Sequence, residues 1–112
     1  MNREQYILQC LSEECAEVVL IASKYNRFGG DSFHPDDPLK RTNKSKLTQE
    51  IIDVMALIQA VGMNGMLDDK DPSEAEKGIH EKLTRLDKYM EISEELGTLQ
   101  KDPQPADLKA LD

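Results

Sequence analysis

The chain predicts an all-α domain, a helical bundle of about three helices. Two observations carry this reading. Apolar residues recur three and four apart over three long segments, and glycine and proline (6 and 5 residues) concentrate between those segments. At 112 residues the chain is one domain, near the lower end of what buries a good core alone.

The first helix is expected from about Arg3 to Tyr25 or Arg27. Its main stripe runs through Ile7, Leu11, Cys15, Val18, Ala22 and Tyr25, while Leu8, Val19 and Ile21 lie outside it. Gly29-Gly30 supplies the stop. Residues 31–43 carry Pro35, Pro38 and the pair Asp36-Asp37, and read as a loop. The second helix spans roughly Lys44 to Met63 through Leu47, Ile51, Val54, Leu57, Ile58 and Val61, and stops at Asn64-Gly65. After a second loop, Ser73 and Glu76 suggest a capping box that opens a third helix reaching about Leu96, with Gly97 as its cap. Residues 1–97 then form the folded domain. The tail, 98–112, holds Pro103 and Pro105 and little apolar content, and is expected to be mobile or draped over a neighbour. Three such helices leave an apolar side poorly covered. The simplest resolution is a four-helix-type core completed by a second copy, the alternative being a compact three-helix monomer.

Charge narrows the partners. A formal net charge of −8 argues against a nucleic-acid polymer or an anionic membrane, and no apolar run approaches membrane-spanning length. A small anionic ligand would need metal ions or a local basic patch. The opening Met-Asn-Arg-Glu-Gln lacks signal-peptide character, and Cys10 and Cys15, five apart on one helix, are poorly placed to bridge. A cytoplasmic setting is the expectation, the host cytoplasm if the chain is viral.

The chemistry lies in a split set of carboxylates. Glu13, Glu14 and Glu17 sit at helical spacing in the first segment, Glu50 and Asp53 in the second. The lines they occupy are half apolar: Cys10, Glu14, Glu17, Ile21 and Lys24 on one helix, and Lys46, Glu50, Asp53 and Leu57 on the other. Antiparallel packing can bring the acids together, and carboxylates that close cannot all ionise without a cation. Mg²⁺, or Mn²⁺, suits oxygen-only donors. An iron site is less apt, because no histidine stands at the Glu-x-x-His offset. Acidic pairs are also common on solvated faces, so a non-catalytic helical oligomer or partner-binding module is the alternative.

Glu-Glu-x-x-Glu followed by Glu-x-x-Asp resembles the motif of the MazG-like, all-α nucleoside triphosphate pyrophosphohydrolases. Glu-Glu-Cys-Ala-Glu-Val-Val, with Ser-Lys-Tyr-Asn-Arg-Phe-Gly after it, looks like the small single-domain members of phages and bacteria. The 32 residues between Glu17 and Glu50 exceed the usual family spacer, an excess that the long loop accounts for. The resemblance implies Mg²⁺-dependent hydrolysis of a (deoxy)nucleoside triphosphate to monophosphate and pyrophosphate. It implies Glu14, Glu17, Glu50 and Asp53 as metal ligands, with Glu13 completing a second metal site or orienting the attacking water. It also implies an enzyme that trims nucleotide pools, with dGTP among the candidate substrates, while the poorly covered apolar side points to a homodimer or homotetramer.

Substrate contacts are read less sharply. Lys82, Arg85 and Tyr89 share one face of the third helix and suit phosphates, or else form a solvated face. Lys24 and Arg27 lie below the Glu14–Glu17 line, where they either reach a phosphate or complement the helix C-terminus. The run Lys40, Arg41, Lys44 and Lys46 draws in a polyanion or is a plain solvated loop. Phe28, Phe33 and His34 are candidate base-stacking residues, though either phenylalanine can equally pin the loop.

Overall fold

The computed structural model describes residues 1–102 and is all-α, with α1 Arg3–Phe28, α2 Asn43–Met63 and α3 Pro72–Glu95. The chain divides into two compact units, Met1–Asp68 with α1 and α2, and a second beginning at Asp69 with α3. The predicted tail beyond residue 102 lies outside the described residues.

Helix α1 begins at a capping box absent from the sequence reading. The Asn2 side chain accepts the Gln5 N–H, and the Gln5 side chain accepts the Asn2 N–H, each at 2.8 Å. It ends at Gly29, whose φ of 95° and ψ of 152° belong to glycine alone. A side chain at Gly30 would force the Tyr25 ring to shift. A Cβ there would stand 2.6 Å from the Tyr25 ring, which folds back over the turn.

Helices α1 and α2 form an antiparallel hairpin. At one end Arg3 Nε donates to Asn64 Oδ1 at 3.2 Å. At the other, the buried Asn43 donates its side-chain amide to Gly29 O at 2.9 Å. The same antiparallel arrangement brings Glu14 of α1 to Glu50 and Asp53 of α2. The buried seam differs from the main stripe expected on α1. Ile7, Leu11, Glu14, Val18, Ile21 and Tyr25 turn inward, four and three apart in alternation, whereas Cys15 and Ala22 are exposed. Ile21, expected outside the stripe, is the most buried residue of α1, at 5 % exposure. On α2 the inward line is Leu47, Glu50, Val54, Leu57 and Val61, with Ile51 and Ile58 left exposed. A seam between two helices follows an alternating three-four spacing, so the partner helix chooses between adjacent stripes of similar apolarity. The chosen one carries the acids.

Helix α2 ends in a Schellman turn. Gly65 at φ 67° donates to Gly62 O, and Met66 N–H donates to Val61 O.

Helix α3 corrects the predicted start. Its cap is Asp71, whose carboxylate accepts the Ser73 N–H at 3.0 Å, and Pro72 opens the first turn. Ser73 therefore lies inside the helix and forms no capping box. Proline's fixed φ and missing N–H favour the first helical position, and an anionic cap suits the positive end of the helix dipole. The Asp71 carboxyl lies below its usual range because it accepts the Ser73 hydrogen bonds. Gly97, at φ 78°, follows the cap residue Leu96 and closes a second Schellman turn through Gly97 N–H to Glu94 O and Thr98 N–H to Ser93 O. Among the described residues no helix is long and apolar enough to cross a membrane.

Candidate metal and phosphate site

The seam places three acids at one point. One carboxylate oxygen each from Glu14, Glu50 and Asp53 lies within 4.8 Å of the others. All three side chains are half-buried. Glu14 and Glu50 occupy seam positions that would otherwise hold aliphatic side chains. Asp53 is oriented by Gln49, whose amide donates to Asp53 Oδ1 at 3.0 Å.

Electrostatics at this point are unfavourable without a cation. The Glu50 carboxyl is held above its ordinary value of 4.5, first by desolvation. A hydrogen bond with Glu14 and repulsion from Glu14, Asp53 and Glu17 add to the rise. An acid whose folded value is raised costs the fold nothing below its unfolded value. The cost enters as pH climbs above 4.5 and through the raised folded value. Asp37 and Asp71, both lowered from 3.8, act in a separate window below that value, where their stabilisation is lost as pH falls. Metal-free wild-type protein should therefore lose more stability between pH 4.5 and 7 than Glu50→Gln does. Paired thermal melts across that interval test it, and equal slopes would remove Glu50 as the strained group.

A cleft of about 410 Å³ opens beside the acids. Its lining takes Glu17, Leu20, Ile21 and Lys24 from α1, Arg41 from the loop, and Ser45, Lys46, Gln49 and Glu50 from α2. Anionic and cationic side chains thus face one space. The chain resembles no known family model, curated protein or solved structure closely enough to register a match.

The other sequence candidates fall in four places. Glu17 is exposed, lines the cleft and contributes to the repulsion on Glu50. Glu13 is exposed outside the three-acid cluster, with Gln9 donating to its Oε1 at 3.4 Å. Arg27 stacks over the exposed Phe28 ring, 4.7 Å from its centroid, at the end of α1. Lys82, Arg85 and Tyr89 belong to α3 in the second unit, where all three are exposed.

Two contributors to the cleft were weakly signalled. Arg41 and Lys46 stood in the basic run read as a polyanion attractor or a solvated loop, and the fold brings both to the cleft beside Lys24. Asp37 was not singled out. Its side chain, only 6 % exposed, pairs with Arg41 at 3.1 Å and Lys46 at 3.9 Å. An acid four residues before an arginine in a proline-bounded loop was the available clue.

Proposed function

We propose that this protein is a Mg²⁺-dependent nucleoside triphosphate pyrophosphohydrolase acting on cytoplasmic nucleotide pools, as its likeness to the MazG-like enzymes implies. The observation that carries the reading is a cluster of three half-buried carboxylates whose member Glu50 also lines, with Glu17, a cleft that holds Lys24, Arg41 and Lys46. Acids alone would suit a bare cation, and bases alone a free anion. Both together suit a metal-associated polyphosphate.

The donor set fits the metal. Glu14, Glu50 and Asp53 offer oxygen only, which matches Mg²⁺ or Mn²⁺ and leaves room for retained waters. Such a cation, when bound, neutralises charge on the triphosphate and lowers the pKa of water. Glu14, Glu50 and Asp53 would hold it, with Glu17 available from the cleft side. Lys24, Arg41 and Lys46 bear the charge of the phosphates farther along the cleft and orient the chain for in-line displacement. Water attacks the α-phosphorus, forming one P–O bond as the bond to the α–β bridging oxygen breaks. Pyrophosphate leaves, and the water's proton passes through a cleft carboxylate to solvent.

A chromatographic screen of the common NTPs and dNTPs with Mg²⁺ tests this reading. Monophosphate and pyrophosphate in equal amounts, abolished by EDTA, are expected. Diphosphate and inorganic phosphate, or no turnover with Mg²⁺ or Mn²⁺, would overturn it. The family likeness carries dGTP into the screen as one candidate.

The protein is further proposed to act as a homodimer or homotetramer. The hairpin leaves Val19 68 % and Met55 62 % exposed, with Leu20, Ile52 and Ile58 also at the surface. An apolar surface spread over both helices favours burial against another copy. Light scattering on the purified chain should give at least twice the 12.7 kDa protomer mass. A monomer at all concentrations would reject the assembly and leave the chemistry to stand alone.

A further inference from the structure

The loop between α1 and α2 is more tightly built than its proline and charge content suggests. Its base is closed by Asn43 N–H to Ser32 O at 2.9 Å and Lys44 N–H to Gly30 O at 2.8 Å. Its centre is organised by one side chain. Asp37 accepts the Leu39 N–H at 3.0 Å, and the Arg41 N–H and Arg41 Nε at 3.1 Å each. Lys46 Nζ, from the first turns of α2, stands 3.9 Å from the same carboxylate. The carboxylate is thus a nearly buried hub joining the loop backbone to two cations that line the cleft.

Its charge is secure, because the Arg41 hydrogen bond first, and the Leu39 N–H next, hold the Asp37 carboxyl below the usual carboxylate range. Arg41 spends Nε on Asp37, which leaves its two terminal amino groups for a further acceptor. Lys24 on the facing helix adds a third cation to this side of a cleft whose lining also carries Glu17 and Glu50. A solvated loop has no need of a buried carboxylate to aim its bases.

We propose that Asp37 is a positioning residue that holds Arg41 and Lys46, beside Lys24, as a cradle for the terminal phosphates of a polyphosphate chain whose other end meets the carboxylates. The proposal rests on the metal–nucleotide reading above for the identity of the chain. The cradle itself can be tested apart from hydrolysis.

Inorganic pyrophosphate is titrated calorimetrically into the full-length protein, with and without Mg²⁺. Arg41→Gln and Lys46→Gln should each weaken binding by roughly tenfold, the scale of one lost charge-assisted hydrogen bond. Asp37→Asn separates aim from bulk charge. It removes a negative charge beside the cations, so a charge-only cradle would bind more tightly, whereas a positioned one binds several-fold more weakly. With a hydrolysed nucleotide, Asp37→Asn should raise KM while leaving kcat within about twofold, a split that general destabilisation would not produce. Circular dichroism checks that the helices persist, and the Arg41 and Lys46 variants keep the test decisive if Asp37→Asn unfolds. Wild-type protein that ignores pyrophosphate, Arg41 and Lys46 variants that bind it normally, or tighter binding by Asp37→Asn would each overturn the cradle. Pyrophosphate binding weakened as expected, but with no nucleotide hydrolysed, would leave the cradle standing and reject the hydrolase.

Discussion

Glu50→Gln should reduce nucleotide hydrolysis by at least about 100-fold while leaving the metal-free protein as stable as wild type or more so. The magnitude follows from the site's construction. Partners that merely orient a metal's ligands are each worth about 10- to 100-fold, and a residue that itself holds the cation is worth more. The sign on stability follows from the strain at Glu50. Its carboxyl is desolvated and crowded by Glu14, Asp53 and Glu17, so the amide removes repulsion at little change of shape. A packing residue does not behave this way, because its loss costs both function and stability. Steady-state rates and melts on the same preparations check the pair of effects. Glu14→Gln and Asp53→Asn should follow Glu50→Gln. Glu13→Gln should cost less, since Glu13 stands outside the cluster with Gln9. Retained turnover in Glu50→Gln would return the acids to a structural role and place the chemistry elsewhere on the chain.

Mg²⁺ should raise the unfolding midpoint of the wild-type protein, and the rise should vanish in Glu14→Gln and Glu50→Gln. A cation that binds the native cluster and not the separated carboxylates of the unfolded chain stabilises by mass action. The gain is about 2.7 kcal/mol when the free ion is at one hundred times its dissociation constant. Screening also relieves a chain of net charge −8, so the comparison is made against NaCl at equal ionic strength. Thermal melts with increasing MgCl₂ provide the measurement. A shift of the same size in wild type and variants would assign the effect to general screening and remove the specific cation site. The two experiments are independent. The first reads chemistry, and the second reads binding without any nucleotide present.

Much of the architecture was legible residue by residue. Gly29-Gly30 and Asn64-Gly65 punctuate the chain where the first two helices stop, because these residues have local backbone consequences that no tertiary context reverses easily. The three-residue spacing of Glu14 with Glu17, and of Glu50 with Asp53, likewise put each pair on one helix face before any packing was known. The start of α3 was misjudged by one competing local signal: Asp71 before Pro72 outranks Ser73 before Glu76.

Three features waited for the tertiary structure. On α1 the two stripes, one through Cys15 and Ala22 and the other through Glu14 and Ile21, are similar in apolarity. The antiparallel partner selected the second. Which acids meet was settled by the same register, since Glu14, Glu50 and Asp53 converge while Glu13, adjacent in sequence to Glu14, turns outward. The basic wall depended on a loop closing on itself through Asp37, a contact between residues four and nine apart whose geometry no periodicity encodes. Local backbone preferences and helical spacing are properties of a segment, and so can be read from it. The choice of a buried face, and of the charges that end up sharing one cleft, is an energy of pairing between segments, and it exists only once they have packed.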